Sequence, residues 1–196
     1  MKILFIVLSY LLGAVPTGYL AFKLSARGDI REHGSRNTGA TNVMRLKGWK
    51  LAVPVAIADV LKGFLPAFLA FRLFGDTRLA LAASFVAVVG HCYPLYIRFR
   101  GGKGVATTIG AAAAVDPLPL LGCAVLFLIV VGLTRYVSLG SILAVSALPV
   151  LALLLGAGPA TVLWGVAIAA LIVLRHKGNI GRLLSGRERK LGERAA

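Results

Sequence analysis

The sequence predicts an all-α membrane protein: a bundle of about seven transmembrane helices, one of them short. Of the 196 residues, 58% are hydrophobic and only 15% are charged, and the mean hydropathy is +0.86, far from the composition of a water-soluble domain. Six apolar stretches approach the length of about 20 residues that an α-helix needs to cross the hydrocarbon core. Lys and Arg concentrate in alternate connections between these stretches, a pattern typical of polytopic membrane proteins.

The predicted helices follow one another with only short polar connections. The six long stretches cover residues 3–22, 51–71, 79–97, 118–133, 137–155 and 157–174. A seventh stretch, residues 105–115, is short and follows a glycine-rich turn, so we expect a short or re-entrant helix there. Gly, Ala and Ser are frequent in these stretches, which permits close helix packing in lipid. Because no repeat and no long polar linker occurs, we expect a single integral-membrane domain over residues 1–196.

The charge distribution supports seven segments rather than six and predicts their orientation. With seven, 18 of the 22 Lys and Arg residues fall on one side of the membrane and three on the other, while Lys62 lies within a span. The positive-inside rule makes the basic side cytoplasmic, with the N-terminus outside and the C-terminus inside. With six segments, the basic connections after residue 115 would lie opposite those before it.

Three polar clusters interrupt the apolar pattern, and the predicted topology places all of them on the cytoplasmic side. The first covers residues 33–42 and is followed by Arg45. Its Ser, Asn and Thr side chains offer many hydrogen bonds, and its glycines allow backbone N–H groups to turn outward. The same residue types also build ordinary polar turns, so this cluster alone leaves both interpretations open.

The second cluster covers residues 100–108, where a glycine-rich turn containing Lys103 opens the short apolar stretch. Backbone amides at a helix N-terminus together with an ammonium group form a cradle for phosphate. The GxxxxGK[ST] spacing of nucleotide-hydrolysing proteins is absent, which disfavours that class. A flexible cytoplasmic loop with no ligand is the alternative.

The third cluster covers residues 175–182 at the end of the last span and contains His176 and Asn179 among three cations. It could complete an anion site or anchor a helix end at the lipid headgroups.

Two smaller polar features lie elsewhere. Asp59 and Lys62 are one helical turn apart near the middle of the second span, where charges must pair or face the interior; a structural ion pair is favoured over a substrate or proton path. Near Arg135, Ser138 is predicted to cap a helix and Ser141 to line the site.

Other classes of site lack support in the sequence. Cys92 and Cys123 stand in separate apolar stretches, so we expect buried thiols and no disulfide framework. The three scattered histidines lack zinc-site spacing, so we expect no metal and no cofactor. A net charge of +15 could attract nucleic acid, lipid headgroups or anionic metabolites, but the apolar bulk argues against nucleic acid.

Three motifs resemble the bacterial integral-membrane acyl-phosphate:glycerol-3-phosphate acyltransferase family over nearly the whole chain. They read GSRNTGATN (residues 34–42), GHCYPLYIRFRGGKGVAT (residues 90–107) and RHKGNIGRLLSGRE (residues 175–188). The sequence departs from the family pattern at Arg36, where glycine is usual, and at Arg187, where threonine is commoner before the glutamate. The first departure adds a cation and leaves the local backbone conformation open.

The resemblance implies transfer of a fatty acyl group from acyl phosphate to the sn-1 hydroxyl of glycerol 3-phosphate, the first acylation of phospholipid synthesis. It implies a multi-pass protein of the bacterial inner membrane with its active site on the cytoplasmic side, and membrane lipids as further partners. The acyl-chain preference stays open, and so does the oligomeric state, for which a monomer is the working expectation. A histidine with an aspartate five positions on, the signature of another acyltransferase class, is absent: those positions hold Thr38, Tyr96 and Gly181.

The resemblance also suggests roles for individual residues. Because acyl phosphate is already activated, the protein needs mainly to position two anions and to stabilise charge on the acyl oxygen. The predicted catalytic residues are Ser35, His176 and Asn179. The predicted substrate-binding residues are Asn37, Thr41, Asn42, Arg45, Gly101, Gly102, Lys103, Gly104 and Ser141. His176 is the plausible side-chain base, but a substrate phosphate oxygen could serve instead, and the sequence does not choose between them.

Two other functions fit parts of the pattern. A transporter or exchanger of organic phosphates would also have a basic polar pocket between helices, but it needs access from both faces, and here the polar groups cluster on one side. A structural assembly subunit would not need three phosphate-compatible clusters. Enzyme activity is therefore favoured.

Overall fold

The computed structural model describes residues 1–193, and the regular secondary structure within that range is entirely helical. Ten α-helices occur in the described residues: α1 (Lys2–Ala14), α2 (Thr17–Ala26), α3 (Ala40–Lys47), α4 (Trp49–Phe74), α5 (Thr77–Cys92), α6 (Val105–Val115), α7 (Pro117–Thr134), α8 (Val137–Leu154), α9 (Pro159–Arg175) and α10 (Lys177–Leu184). Single 3₁₀ turns lie at Ile30–Glu32 and Leu95–Ile97.

The lengths and composition of these helices confirm the predicted all-α membrane architecture. Within residues 1–193, five helical segments are long and apolar enough to cross a membrane, and α9 with α10, bent by 60°, would make a sixth. Helix α6 has 11 residues, as the short stretch at 105–115 predicted. The number of crossings and the orientation of the termini stay predictions.

The first predicted span is interrupted where the sequence suggested one helix over residues 3–22. Helix α1 ends at Ala14, and α2 begins at Thr17 directly after Pro16. Proline has no backbone N–H and its ring crowds the preceding turn, so it breaks a helix at this position. The two helices together still form an apolar segment of 25 residues, Lys2–Ala26.

Contacts divide the described chain into two compact units, Met1–Ala111 and Ala112–Glu193, with the division inside α6. The expectation of a single domain over residues 1–196 stays a prediction.

In the first unit, glycines bring helix backbones into direct contact. Gly13 of α1 lies against the backbone of Ala87, and Gly90 of α5 lies against the backbone of Tyr10 and Ala14. A side chain at either glycine would overlap the facing backbone, so these positions set the spacing of α1 and α5.

Helix α4 holds the start of α6 in the same manner. Gly63 of α4 meets the backbone carbonyl of Thr107, and Gly110 of α6 meets the carbonyl of Val60. The first turn of α6, which follows the glycine-rich segment, is therefore fixed by backbone contact with a long helix.

A small apolar core lies beside the first polar cluster. It is formed by the buried side chains Phe22, Ile30, Val43, Ala52 and Val55 from α2, the 3₁₀ turn, α3 and α4. This core anchors both ends of the polar segment 33–42.

In the second unit, α8 packs against both α7 and α9. Gly140 of α8 lies under Val131 and Phe127 of α7, and Gly165 of α9 lies against Pro149 of α8. Small residues again allow close approach in the absence of a hydrophobic driving force between helices in lipid.

Candidate functional site

The segment 33–42 is organised around the side chain of Asn42, which is 1% exposed. Its Oδ1 accepts the Ser35 backbone N–H at 2.9 Å. Its Nδ2 donates to the carbonyls of His33 at 3.1 Å and Asn37 at 2.9 Å. With both amide hydrogens and one acceptor site used inside the loop, Asn42 shapes this segment. Its predicted role in binding substrate stays a prediction.

The neighbouring polar residues are oriented differently. Asn37 Oδ1 accepts the Gly39 backbone N–H at 2.9 Å, which closes the turn before α3. The side chains of Ser35 and Thr41 are exposed. The loop therefore holds Asn42 inward and leaves Ser35 and Thr41 accessible, whereas Thr38 is buried. The substrate-orienting roles of Ser35, Asn37 and Thr41 stay predictions. Arg45 is half-buried in the last turn of α3.

Arg36 occupies a left-handed backbone conformation, with φ of 58°. An L-residue with a Cβ is strained there by about 1–2 kcal/mol, whereas glycine is not. This conformation explains why glycine suits the position. In this chain, Arg36 itself adopts the left-handed conformation.

An ion pair anchors the segment just before this loop. Arg31 Nη2 lies 2.6 Å from Asp29 Oδ2, and Arg31 Nη1 donates to the Ile97 carbonyl at 3.0 Å. The side-chain hydrogen bond from Arg31 lowers the pKa of Asp29 below its ordinary value. Arg31 thus connects the flank of the first motif with the 3₁₀ turn that belongs to the second.

The second motif places glycines against His91 and then starts a helix. The Gly102 backbone N–H donates to the His91 carbonyl at 3.1 Å. A Cβ on Gly101 would overlap the His91 carbonyl, and a Cβ on Gly102 would overlap the His91 imidazole. Gly104 has φ of 88°, and α6 begins at the next residue. The predicted arrangement of a glycine-rich turn opening a helix is confirmed, with Lys103 half-buried within it.

Two buried hydroxyls follow in the first turn of α6. Thr107 is 0% and Thr108 is 7% exposed, and neither Oγ1 has a hydrogen-bond partner among the residues that the structure describes. Buried polar atoms are normally paired, so such groups are candidates for contact with a polar ligand. The sequence analysis included both residues in the second cluster but assigned them no role.

A buried polar network connects α2, α4 and α5. Lys62 Nζ lies 2.8 Å from Asp59 Oδ1, with the two side chains 4% and 1% exposed, so the predicted ion pair is confirmed. Thr17 Oγ1 donates to Asp59 Oδ1 at 2.5 Å, and His91 Nδ1 lies 3.5 Å from the same oxygen. Lys62 also donates to the Val15 carbonyl at 2.9 Å, at the break between α1 and α2. Charges at this depth are tolerated because they are paired and hydrogen-bonded.

In the second unit, His176 sits at the bend between α9 and α10 and is 2% exposed. Its Nδ1 lies 2.8 Å from the Ile172 carbonyl. A carbonyl only accepts, so Nδ1 carries the hydrogen, and a neutral ring then has its lone pair on Nε2. The bend thus determines both the orientation and the tautomer of this histidine.

The Glu188 carboxylate accepts hydrogen bonds from two other residues of the third motif and from Ser138 of α8. Its Oε1 accepts from Asn179 Nδ2 at 2.6 Å and from Ser138 Oγ at 2.8 Å, and its Oε2 accepts from Arg182 Nε at 2.7 Å. Burial alone would raise the pKa of this carboxyl, but the hydrogen bonds from Ser138, Asn179 and Arg182 outweigh burial and lower it below 4.5. Asn179 is therefore held by a carboxylate.

Comparison with known proteins identifies the family. A sequence model of the glycerol-3-phosphate acyltransferase family matches residues 3–186. The chain belongs to this family. Its glycerol-3-phosphate acyltransferase relatives include one from Syntrophotalea carbinolica, 45% identical over 93% of both chains, and one from Halalkalibacterium halodurans, 43% identical over 97% of this chain and 96% of the relative.

Solved structures from the family have the same fold. A crystal structure of PlsY (YgiH), an integral membrane glycerol 3-phosphate acyltransferase in its glycerol 3-phosphate form, is 40% identical, with a TM-score of 0.93 over 97% of this chain and 96% of that one. The lysophosphatidic acid form is 38% identical, with a TM-score of 0.90 over 97% of this chain and 95% of that one. The protein is thus an integral membrane acyltransferase, as the sequence motifs indicated.

Within this acyltransferase, the cap predicted at Ser138 is wrong, and the prediction for Ser141 is not tested by its contacts. Ser138 was expected to cap α8, but the residue before that helix is Tyr136, no side chain caps it, and Ser138 instead donates to Glu188. A nearby carboxylate is a stronger acceptor than a neutral partner, which explains the choice. Ser141 is 5% exposed and donates to the Val137 carbonyl of its own helix at 2.8 Å. Its predicted contact with substrate stays a prediction.

Sequence reasoning assigned no role to His91, which contacts the glycines of the second motif, or to Glu188, which accepts hydrogen bonds within the third. Both lie inside the quoted motifs, which is the signal that could have identified them. Among residues 1–193, no group of three or more His, Cys, Asp or Glu side chains is arranged to hold a metal ion. Both cysteines, Cys92 and Cys123, are buried thiols outside any disulfide bond.

Proposed function

We propose that this acyltransferase transfers a fatty acyl group from acyl phosphate to the sn-1 hydroxyl of glycerol 3-phosphate, producing lysophosphatidate and inorganic phosphate. The observation that carries the proposal is the glycine-rich turn with Lys103 at the start of α6, an arrangement suited to a phosphate group. The related PlsY structures in glycerol 3-phosphate and lysophosphatidic acid forms support the identity of the acceptor and the product.

In the first unit, the proposed binding groups are the cations Lys103 and Arg45 together with the backbone amides of the turn 101–104 other than that of Gly102, whose N–H donates to the His91 carbonyl. Donors at a helix N-terminus and an ammonium group stabilise phosphate charge without further rearrangement. Ser35, Asn37, Thr41 and Asn42 are proposed to orient the substrates, Asn42 by shaping the loop that presents the others.

The proposed reaction needs one nucleophilic attack on an activated carbonyl. The acceptor hydroxyl oxygen forms a bond to the acyl carbon, and the bond from that carbon to the phosphate oxygen breaks. Phosphate leaves with the bonding electron pair, and the hydroxyl proton passes to a base. Because the donor is a mixed anhydride with a good leaving group, positioning and charge stabilisation provide much of the acceleration.

Two groups are suited to accept the proton: a phosphate oxygen of a substrate and Nε2 of His176. The bond from Nδ1–H to Ile172 favours the tautomer that a base requires, and it also orients the ring. We propose that His176 chiefly orients substrate and that Asn179, held by Glu188, donates a hydrogen bond during the transfer. The second amide hydrogen of Asn179 is available for this role because one carboxylate contact uses only the first.

We propose that these groups lie on the cytoplasmic side of the bacterial inner membrane, which the charge bias of the connections supports. Acyl phosphate, glycerol 3-phosphate and membrane lipids are the proposed partners, and the working unit is a monomer.

The decisive experiment incubates the purified full-length protein with acyl phosphate and glycerol 3-phosphate and measures lysophosphatidate and phosphate in equal amounts. Acyl-CoA as donor and dihydroxyacetone phosphate as acceptor serve as matched controls for donor and acceptor. Uptake of glycerol 3-phosphate into vesicles without product formation would replace this proposal with the organic-phosphate transporter.

A further inference from the structure

We infer that His91 is a positioning residue for the glycine-rich turn 101–104. Its imidazole packs against Gly102 of the turn and lies beside Asp59 of α4, so the position of the turn depends on that helix. The inference rests on the proposed function in one respect, that this turn binds substrate phosphate. Two independent contacts carry it: the packing of the ring under Gly102, and the ring's approach to a buried carboxylate.

The contact with Gly102 is made by side-chain atoms. A Cβ built on Gly102 would meet Nε2, Cε1 and Cδ2 of His91 as its three nearest neighbours. In addition, the Gly102 N–H donates to the His91 carbonyl at 3.1 Å. One residue thus fixes Gly102 by a backbone hydrogen bond and by the Nε2 edge of its ring, and Lys103 is the next residue along the chain.

The other side of the ring faces the buried carboxylate of Asp59. His91 Nδ1 lies 3.5 Å from Asp59 Oδ1, which also receives Thr17 Oγ1 and pairs with Lys62. The side chains of Asp59, Lys62 and His91 are 1%, 4% and 6% exposed. Four side chains from α2, α4 and α5 therefore form one network that includes the imidazole, and a turn resting on that ring takes its position from three helices.

A structural network alone would stabilise the fold but would not alter substrate affinity. A positioning role predicts a different signature. If the ring is removed, the turn relaxes, its amides and Lys103 lose their alignment, and the KM for the phosphate-bearing substrate rises more than kcat falls. Simple destabilisation lowers the active fraction, hence kcat, and leaves KM unchanged.

The test is a double-mutant cycle between His91→Asn and Gly102→Ala. Asparagine keeps an N–H near the position of Nδ1, facing Asp59, but removes the ring atoms under Gly102. In the wild-type background, the added methyl group overlaps the ring, so we expect Gly102→Ala to lower kcat/KM about 10- to 100-fold. In the His91→Asn background, the same change should alter kcat/KM by no more than about 3-fold.

Gly101→Ala is the matched control. Its added methyl group would overlap the backbone carbonyls of His91 and Cys92 and the ring of Pro94, none of which His91→Asn removes. We therefore expect Gly101→Ala to be equally damaging in both backgrounds. If His91→Asn relieves both alanine substitutions alike, the asparagine has merely loosened the turn, and specific support by the ring is overturned.

Thermal unfolding of the same four proteins without substrate separates this inference from the proposed function. Gly102→Ala should lower the unfolding temperature when His91 is present and should not lower it in the His91→Asn background, whatever reaction the protein catalyses. Should Gly102→Ala fail to fold, the double variant must recover folding. Any one of three results overturns the inference. The cycle is additive, the double variant does not fold although His91→Asn alone does, or the His91→Asn protein has an unchanged KM. A wild-type protein that makes no lysophosphatidate would overturn the proposed function, while the unfolding cycle still tests the support of the turn.

Discussion

Glu188→Gln tests the carboxylate that organises the third motif, because it removes the charge while keeping the size of the side chain. The native Oε1 accepts from Asn179 and Ser138, and Oε2 accepts from Arg182. The Glu188 side chain is only 7% exposed, so water does not readily replace these partners.

The magnitude follows from the three contacts. A hydrogen bond to a charged group contributes about 1.5–3 kcal/mol and a neutral one about 0.5–1.5 kcal/mol, so the bonds to Asn179 and Ser138 lose about 1 kcal/mol each. The new amide NH2 faces the Arg182 donor, so this contact is lost as well. Because Arg182 is 46% exposed, its loss adds less than about 1 kcal/mol to the destabilisation. We expect a total loss of about 2–3 kcal/mol, equivalent to roughly 5–10 °C in unfolding temperature for a chain of this length.

The pH dependence provides a second, independent readout. The folded pKa of Glu188 is lowered below 4.5, so its contribution is complete above 4.5 and is lost as pH falls through the folded pKa. The stability difference between wild type and Glu188→Gln should therefore be largest near neutral pH and should shrink below 4.5.

The assay is thermal unfolding of both purified proteins across this pH range. Glu193→Gln is the control, since Glu193 lies exposed in the same terminal segment and accepts only the Lys190 N–H at 2.9 Å among the described residues. It should shift stability by less than about 0.5 kcal/mol. A Glu188→Gln protein as stable as wild type, or with the same deficit at every pH, would refute the reasoning.

Four further predictions concern the motifs and the topology. Lys103→Ala should lower kcat/KM about 10²–10³-fold in folded protein, while the exposed Lys47→Ala retains activity; equal rates would remove Lys103 from the site. His176→Asn and His176→Gln should keep most activity and the acidic limb of the pH–rate profile, whereas His176→Ala should not; equal loss in all three, with substrate binding intact, would favour His176 as the base. Arg36→Gly should be more stable than Arg36→Ala by about 1 kcal/mol in the free energy of unfolding, and should unfold at a higher temperature, because φ is 58° there; the reverse order would contradict the strain argument. A reporter fused to the C-terminus should be cytoplasmic, and an external one would overturn the seven-span topology.

The all-helical membrane fold was predictable from the sequence because the bilayer restricts the possibilities. Backbone groups in hydrocarbon must be paired within the chain, so apolar stretches of spanning length become helices. The same constraint made the pairing of Asp59 with Lys62 predictable, since two opposite charges one helical turn apart have few other partners at that depth. The start of α6 at Val105 followed from the glycine-rich turn before it.

The candidate site was predictable in its motifs but not in its contacts. Ser35, Lys103 and His176 stand in polar clusters that the apolar background makes conspicuous. In contrast, nothing in the local sequence indicates that the Asn42 side chain turns inward to three groups of its own loop. Nor does it indicate that Lys62 donates to the Val15 carbonyl at the helix break beside Pro16.

Only the tertiary structure decided which polar groups meet across the chain. Ser138 and Glu188 are 50 positions apart, so local propensity, which favoured a helix cap at Ser138, carried no information about the carboxylate that takes its hydrogen bond. The imidazole of His91 acquires its place between Asp59 and Gly102 from the packing of α4 and α5 and the path of the turn that follows. Residue type and spacing determine what a side chain can bond to, and the packing of distant helices determines which partner comes within reach.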